Sequence, residues 1–254
     1  MITILGIDCA VDPRRRGIAR GRLRDDRCLV DAAWRGDRCD LPALVGEARA
    51  DGPVLLALDA PLGWPAALGA ELEQHRAGAP IAATADAMFR RHTDRVVAAR
   101  LGKTPLDVGA DRIARTAHAA LDQLAAVAAA LGRPRVPLLW RPDRLRGVAA
   151  VEVYPAGLLV AAGATITTGY KPAAARAARS RLLTDLAREL DLAPAVHEAA
   201  VDDADRLDAV LCVLAGWDVV RGLAPGPARG RERTVAGREG WIWVRDAVAD
   251  GGRI

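Results

Sequence analysis

The sequence predicts an α/β fold: a mixed sheet, an antiparallel meander plus parallel strands, flanked by helices and carrying a helical insertion. Three observations predict it. Three strand-like runs, Ile2–Asp8, Gly17–Leu23 and Cys28–Trp34, follow one another with short connections, the pattern of a meander. Two later apolar runs, Val54–Leu58 and Val148–Val153, are set apart by helical stretches, as strands of a central sheet are. Finally, His197–Trp217 joins helix and chemistry. Leu207, Val210, Leu211 and Leu214 recur at the spacing of one helix face, while Asp202, Asp203, Asp205 and Asp208 crowd the same stretch. Asp is a poor helix-interior residue and neighbouring carboxylates repel, so packing alone does not call for them.

Taken in order, the first strand ends on Asp8, and the polar stretch Arg24–Arg27 turns the second strand into the third. Leu41–Ala50 has helical spacing. Val54–Leu58 lies between Gly52-Pro53 and Asp59, and Pro61-Leu62-Gly63-Trp64-Pro65 then breaks the chain. Ala66–Ala77, Thr84–Leu101 and Asp107–Leu131 are expected to be helices, followed by the Pro-rich stretch Arg133–Pro142. This middle, about 66–142, is expected to be an insertion or cap within a single domain covering residues 1–254. After the Val148–Val153 strand come helices over Pro172–Leu190 and Pro194–Trp217, each with Pro at its start. A Pro/Gly linker, Leu223–Gly230, precedes a short strand at Gly240–Arg245.

Composition narrows the function classes. Hydrophobic content of 51% and charged content of 27% are those of a globular protein. A net charge of +4 arises from 36 basic and 32 acidic residues, which permits a polyanionic partner without demanding one. The longest basic block is Arg14–Arg16, and the only lysines are Lys103 and Lys171. Cys9, Cys28, Cys39 and Cys212 show no CxxC or zinc-type spacing and are expected to be reduced thiols, favouring a cytoplasmic location. The chain opens directly on a strand, so no secretory leader is expected. No apolar stretch is long enough to span a bilayer.

Three buried-type strands end in or contain an acid: Asp8, Asp59 and Glu152. Each alone is accounted for as a residue capping a turn. Together they would gather at the carboxyl edge of a sheet, where ligands bind in α/β folds. Asp205 and Asp208 stand three apart, on one helix face, and would bring the count to five. Such a cluster cannot stay ionised in a low-dielectric site without a cation. Mg²⁺ clamping the attacking and leaving oxygens of a phosphate is the chemistry that most needs it.

Seven stretches carry a resemblance: Gly6–Ala10, Leu58–Gly63, Arg90–Arg95, Glu152–Ala156, Gly169–Lys171, Asp203–Ala209 and Glu239–Ile242. With the order of meander, helix, strands and acidic helix, the chain resembles RNase H-like proteins. More closely, it resembles the predicted nuclease family called domain-of-unknown-function family 429. The resemblance implies that Asp8 fills the first-strand metal position and Asp59 the second carboxylate position. It also implies that Asp205 and Asp208 supply the paired acids of the last helix. Glu152, on a later strand, has no certain counterpart. Mg²⁺, with Mn²⁺ as substitute, is the implied cofactor, and nucleic acid the implied partner.

Arg90 and Arg91 on the insertion are candidate phosphate ligands, with a surface ion pair to Asp94 as the alternative. Lys103 lies in Gly102-Lys103-Thr104, but the earlier glycine of a phosphate loop is replaced by Val97, which rejects that motif. Lys103, Tyr154 and Lys171 are further candidate substrate contacts. Three function classes stay open: a metal-dependent nuclease, an ATP-dependent phosphotransferase of the sugar-kinase and actin type, and a non-catalytic nucleic-acid-binding protein. The turn after the first strand, Cys9-Ala10-Val11-Asp12-Pro13, lacks the glycines an ATP phosphate turn needs.

Overall fold

The computed structural model describes residues 1–24, 27–109 and 111–247. The expected turn at 24–27 falls partly outside them. Strand β1 (Ile2–Asp8) pairs antiparallel with β2 (Gly17–Arg24), which pairs antiparallel with β3 (Arg27–Arg35). Helix α1 (Leu41–Ala50) starts where Asp40 accepts a hydrogen bond from the Ala43 backbone N–H, and it leads into β4 (Val54–Asp59). The insertion holds α2 (Ala66–Leu72), α3 (Ala85–Phe89), α4 (His92–Leu101) and α5 (Asp111–Ala130). Then follow β5 (Val148–Val153), α6 (Pro155–Ala161), α7 (Arg176–Leu186), β6 (Asp191–Leu192), α8 (Pro194–Asp202), α9 (Ala204–Arg221), α10 (Arg231–Glu239) and β7 (Ile242–Trp243). Among the described residues no helix is long and apolar enough to cross a membrane.

The strands form one sheet in the order β6-β3-β2-β1-β4-β5-β7. β1, β4 and β5 run parallel as central neighbours, and the meander extends antiparallel from β1, as the sequence predicts. Side-chain alternation splits each strand between two cores. Ile4, Leu55, Ala57, Val151 and Val153 pack with α9, whereas Leu5, Ile7, Leu56 and Leu58 pack with Val45 of α1 and Leu124 and Val127 of α5. The insertion therefore contributes α5 to the main core. Its tail is also tied to β5, where the Leu139 N–H donates to the Ala150 carbonyl at 2.8 Å.

Helix α9 is buried on nearly every side from Leu207 to Val219, because the sheet covers one flank and neighbouring helices the other. Its backbone lies directly on the sheet. A Cβ on Gly6 would come 2.2 Å from the Ala209 carbonyl oxygen, and one on Gly17 would come 1.9 Å from that of Asp205. Only glycine admits so close an approach.

Two expected helices are broken by their own acids. The stretch Thr84–Leu101 parts at Arg90–Arg91: Thr84 caps α3, and the Asp94 carboxylate accepts from the Arg91 N–H at 2.8 Å to start α4. The stretch Pro194–Trp217 parts at Asp203, which is extended and accepts from the Asp205 N–H at 2.9 Å. Asp203 is thus a helix cap. The expected helices over Ala66–Ala77, Asp107–Leu131 and Pro172–Leu190 are shorter at their ends, and α6 and α10 were not expected.

Candidate active site

The site grows from the register of two parallel strands. Asp8 of β1 stands opposite Asp59 of β4. Asp8 shares its face with Ile4 and Gly6, and Asp59 shares its face with Leu55 and Ala57. Both therefore point to the α9 side. Gly17, the partner of Asp8 in β2, touches the backbone of Asp205, so the first turn of α9 lies over the same strand ends. Asp205 and Asp208 follow one turn apart.

Each acid of the helix has a counter-charge. Asp208 is 1% exposed; it accepts from the Tyr170 hydroxyl at 2.8 Å and pairs with Lys171 Nζ at 2.7 Å. Asp205 pairs with Arg15 at 3.1 Å at the rim. Asp203 pairs with Arg35 at 2.6 Å. Among the described residues, Asp8 and Asp59 accept no hydrogen bond and form no ion pair, although the charge of nearby Lys171 partly offsets theirs. Burial, then the charges of Asp208 and Asp59, push the Asp8 carboxyl well above the usual carboxylate range. Burial and then Asp208 raise Asp59 to about 7. Burial opposes the charge on Lys171, but Asp208, Asp8 and Asp59 outweigh it and hold the ammonium above the ordinary lysine value.

Glu152 belongs elsewhere. It is in register with Leu58, one residue short of Asp59, so it projects from the opposite sheet face. There Arg91 grips both its oxygens at 2.7 and 2.8 Å, and the Leu62 N–H donates at 3.0 Å. Arg91 is 1% exposed and also pairs with Asp94 at 2.8 Å. This buried triad replaces both expected alternatives for Arg91, a phosphate contact or a surface ion pair. Glu239 accepts from the backbone N–H of Ala66 and His92 at 2.8 and 2.7 Å, so the base of the insertion is bolted to the C-terminal region. Arg90 is off the cavity, paired with Asp86 at 3.1 Å and Asp107 at 3.0 Å.

A cavity of about 520 Å³ opens over the carboxylates. Asp8 and Asp59 form its floor with Lys171, Asp205 stands at its rim, and Tyr154 and Lys103 line its walls. Arg91 and Glu152 reach its edge. Sequence reasoning did not single out Arg15, Arg112 and Thr116, which also line it. The block Arg14–Arg16 was the one available signal for Arg15; Arg112 and Thr116 give none without the position of α5. Cys9 lines the cavity too, but burial and then Asp59 raise its thiol well above the usual value, which unsuits it as a nucleophile.

Among the described residues no three His, Cys, Asp or Glu side chains stand in the arrangement of a formed metal centre. The donor set nonetheless suits a hard divalent cation: two partly buried carboxylates side by side without hydrogen-bond or ion-pair partners among the described residues, with a third held by a lysine. The arrangement can bind a cation on its floor and an anion against Arg15, Lys103 and Arg112.

Neither the curated proteins nor the solved structures include one similar to this chain. A family model described as "Protein of unknown function (DUF429)" matches residues 6–231, from the first strand to the start of α10. Because that match spans all the strand-end acids and the acidic helix, and most of the length, the chain belongs to the DUF429 family.

Proposed function

We infer that the protein is a metal-dependent phosphodiester hydrolase, a nuclease of RNase H-like architecture. The observation that carries this reading is the pair Asp8 and Asp59: adjacent, partly buried, without a hydrogen-bond donor or ion-pair partner among the described residues, and with Asp59 raised to about 7. Crowded, desolvated carboxylates are costly when ionised, and either a proton or a bound cation relieves the cost; Mg²⁺ does so while leaving both acids ionised. The architecture supports the same reading, through a meander continued by two parallel strands and a late acidic helix crossing the first strand.

In this reading Asp8, Asp59 and Asp208 would hold Mg²⁺, with Mn²⁺ as substitute, and Asp205 would add a carboxylate from the rim. The ion, once bound, supplies Lewis acidity and an activated water near neutral pH. The remaining work falls to side chains of this chain. Arg15, Lys103 and Arg112 bind the phosphates of the substrate. Lys171 neutralises Asp208 and, with a cation bound there, would be free to offer its charge to the substrate anion. Tyr170 keeps the Asp208 carboxylate oriented. Tyr154 walls the cavity and excludes water. Glu152 and Arg91 fix the edge of the cavity from beneath and touch no reacting atom. Free, mostly buried cysteines suit a cytoplasmic enzyme.

The test is hydrolysis of single-stranded, duplex, hybrid and branched nucleic acids with Mg²⁺ or Mn²⁺. The parent should cleave at least one class, and Asp8→Asn should lose activity while staying folded. Undiminished cleavage by Asp8→Asn, or ATP turnover with a small acceptor in place of cleavage, would overturn the assignment.

A further inference from the structure

A second cleft, of about 530 Å³, lies beside the first, between the loop after β1 and helix α5. Arg115, His118, Ala119, Asp122, Gln123 and Ala126 recur three and four apart, so one face of α5 forms its wall. Val11 and Arg16 form the other. The active-site cavity takes Arg112, Ile113 and Thr116 from the start of the same helix, and Cys9, Ala10 and Arg15 from the same loop. The two clefts are therefore successive stations on one helix and one loop. From Ile113 to Gln123 the helix rises about 15 Å. Stacked nucleotides advance about 3.4 Å each, so this length matches a strand of a few residues.

Two buried polar atoms in the second cleft lack partners. Gln123 is 9% exposed, and its NH₂ donates to the Ala119 carbonyl at 3.2 Å, which fixes the amide orientation. Its Oε1 is left buried with no donor. Arg16 Nε is buried with no acceptor, although its guanidinium tip reaches the Ala10 carbonyl at 3.4 Å. Gln123 and Arg16 thus bring an unused acceptor and an unused donor to the lining of one cleft, and a side-chain rotation that uncovers them would present the pair to a planar group carrying donor and acceptor side by side. The edge of a nucleobase is such a group. Asp122 is paired with His118 at 3.0 Å, while Arg115 lines the same wall and suits a phosphate. A cleft of this size has room for a base together with its sugar and phosphate, and a base enters it only when unstacked and unpaired.

We propose that the second cleft is a base-binding subsite for single-stranded nucleic acid: it takes a nucleotide flanking the scissile phosphate, with Gln123 Oε1 accepting from the base edge, Arg16 Nε donating to it, and Arg115 meeting a phosphate. The proposal rests on the nuclease reading and specifies its substrate as a single strand held beyond the cleavage point.

The experiment measures binding of a labelled eight-residue oligodeoxyadenylate, in Ca²⁺, by fluorescence anisotropy. Eight variants each carry one abasic residue at a different position. For the parent, one abasic position should weaken binding about 3–10-fold, the worth of one or two hydrogen bonds. Gln123→Leu should flatten that profile. On the parent, a 5-iodouracil oligonucleotide should photocrosslink within the tryptic peptide that begins at Thr116, a result independent of how the variant folds. A flat parental profile, an unchanged profile in Gln123→Leu, or crosslinks confined to other peptides would overturn the subsite while leaving cleavage in the hydrolysis panel intact. Failure of every oligonucleotide to bind would overturn both the subsite and the nuclease reading.

Discussion

Replacing Asp59 by Asn should stabilise the cation-free protein, and more at pH 8 than at pH 5. Asp59 is raised from 3.8 to about 7, first by burial and then by Asp208. A carboxyl that holds its proton more tightly when folded lowers stability as pH rises from the unfolded value, and the loss is complete above the folded one. The gap amounts to about 4 kcal/mol at 1.36 kcal/mol per pH unit. Between pH 5 and pH 8 about 2.5 kcal/mol of it is incurred. Asp8, raised by the same causes, acts in the same direction, and the two titrate jointly. Any packing cost of the Asn is common to both pH values and cancels in the comparison. Urea denaturation of parent and Asp59→Asn in EDTA, extrapolated linearly to water, reads the difference directly. The advantage of Asp59→Asn should grow by about 2–3 kcal/mol from pH 5 to pH 8. An advantage equal at both pH values would refute the raised pKa, and with it the uncompensated pair.

Other perturbations separate the site from its supports. Arg91→Ala should cost about 3–5 kcal/mol, because Glu152 and Asp94 stay buried without their cation; near-parental stability in urea would remove the triad from the account. Lys171→Met should lower stability at pH 8 in EDTA by about 1 kcal/mol, the small size reflecting its largely exposed side chain. It should enlarge the melting-temperature gain on adding Mg²⁺, and an unchanged gain would mean that Lys171 does not stand in for the ion. Gly17→Ala should cost at least about 1–3 kcal/mol by pushing α9 off the sheet, and should reduce Mg²⁺ stabilisation too. The double change Asp205→Asn with Asp208→Asn should abolish Mg²⁺ stabilisation, and an equal gain in parent and variant would remove both acids from the cation site.

The central strands were legible because their apolar runs are short, continuous and punctuated by acids and turn residues; β1, α1 and β5 have the boundaries read from the sequence. The pairing of Asp8 with Asp59 followed from the same reading, since both end parallel neighbours. Glu152 misled because a single-residue offset in register reverses a strand's facing, and register is not written in an apolar run. Asp203 was read as a side chain on a helix, yet it interrupts one and caps the next, and Asp94 does lie on a helix but in its first turn, where it caps the break at Arg91; both are decided by local hydrogen bonding. Arg112 and Thr116 acquire meaning only when α5 is laid beside the first loop. Helices α6 and α10 are short and depend on tertiary packing, so periodicity hardly marks them.

The glycine-lined seat of α9 on β1 joins parts of the chain about two hundred residues apart. During synthesis at about 5–20 residues per second, Asp208 follows Asp8 out of the ribosome by about 10–40 s. Through that interval β1 and β4 are available, but the sheet face at Gly6 and Gly17 has nothing to lie against it. The carboxylates of the strands thus precede their helix partner, and the acidic cluster is assembled only with the last long helix. A product truncated before Ala204 keeps Asp8, Asp59 and Lys171, yet it lacks Asp205 and Asp208 and has no helix to cover that face of its sheet.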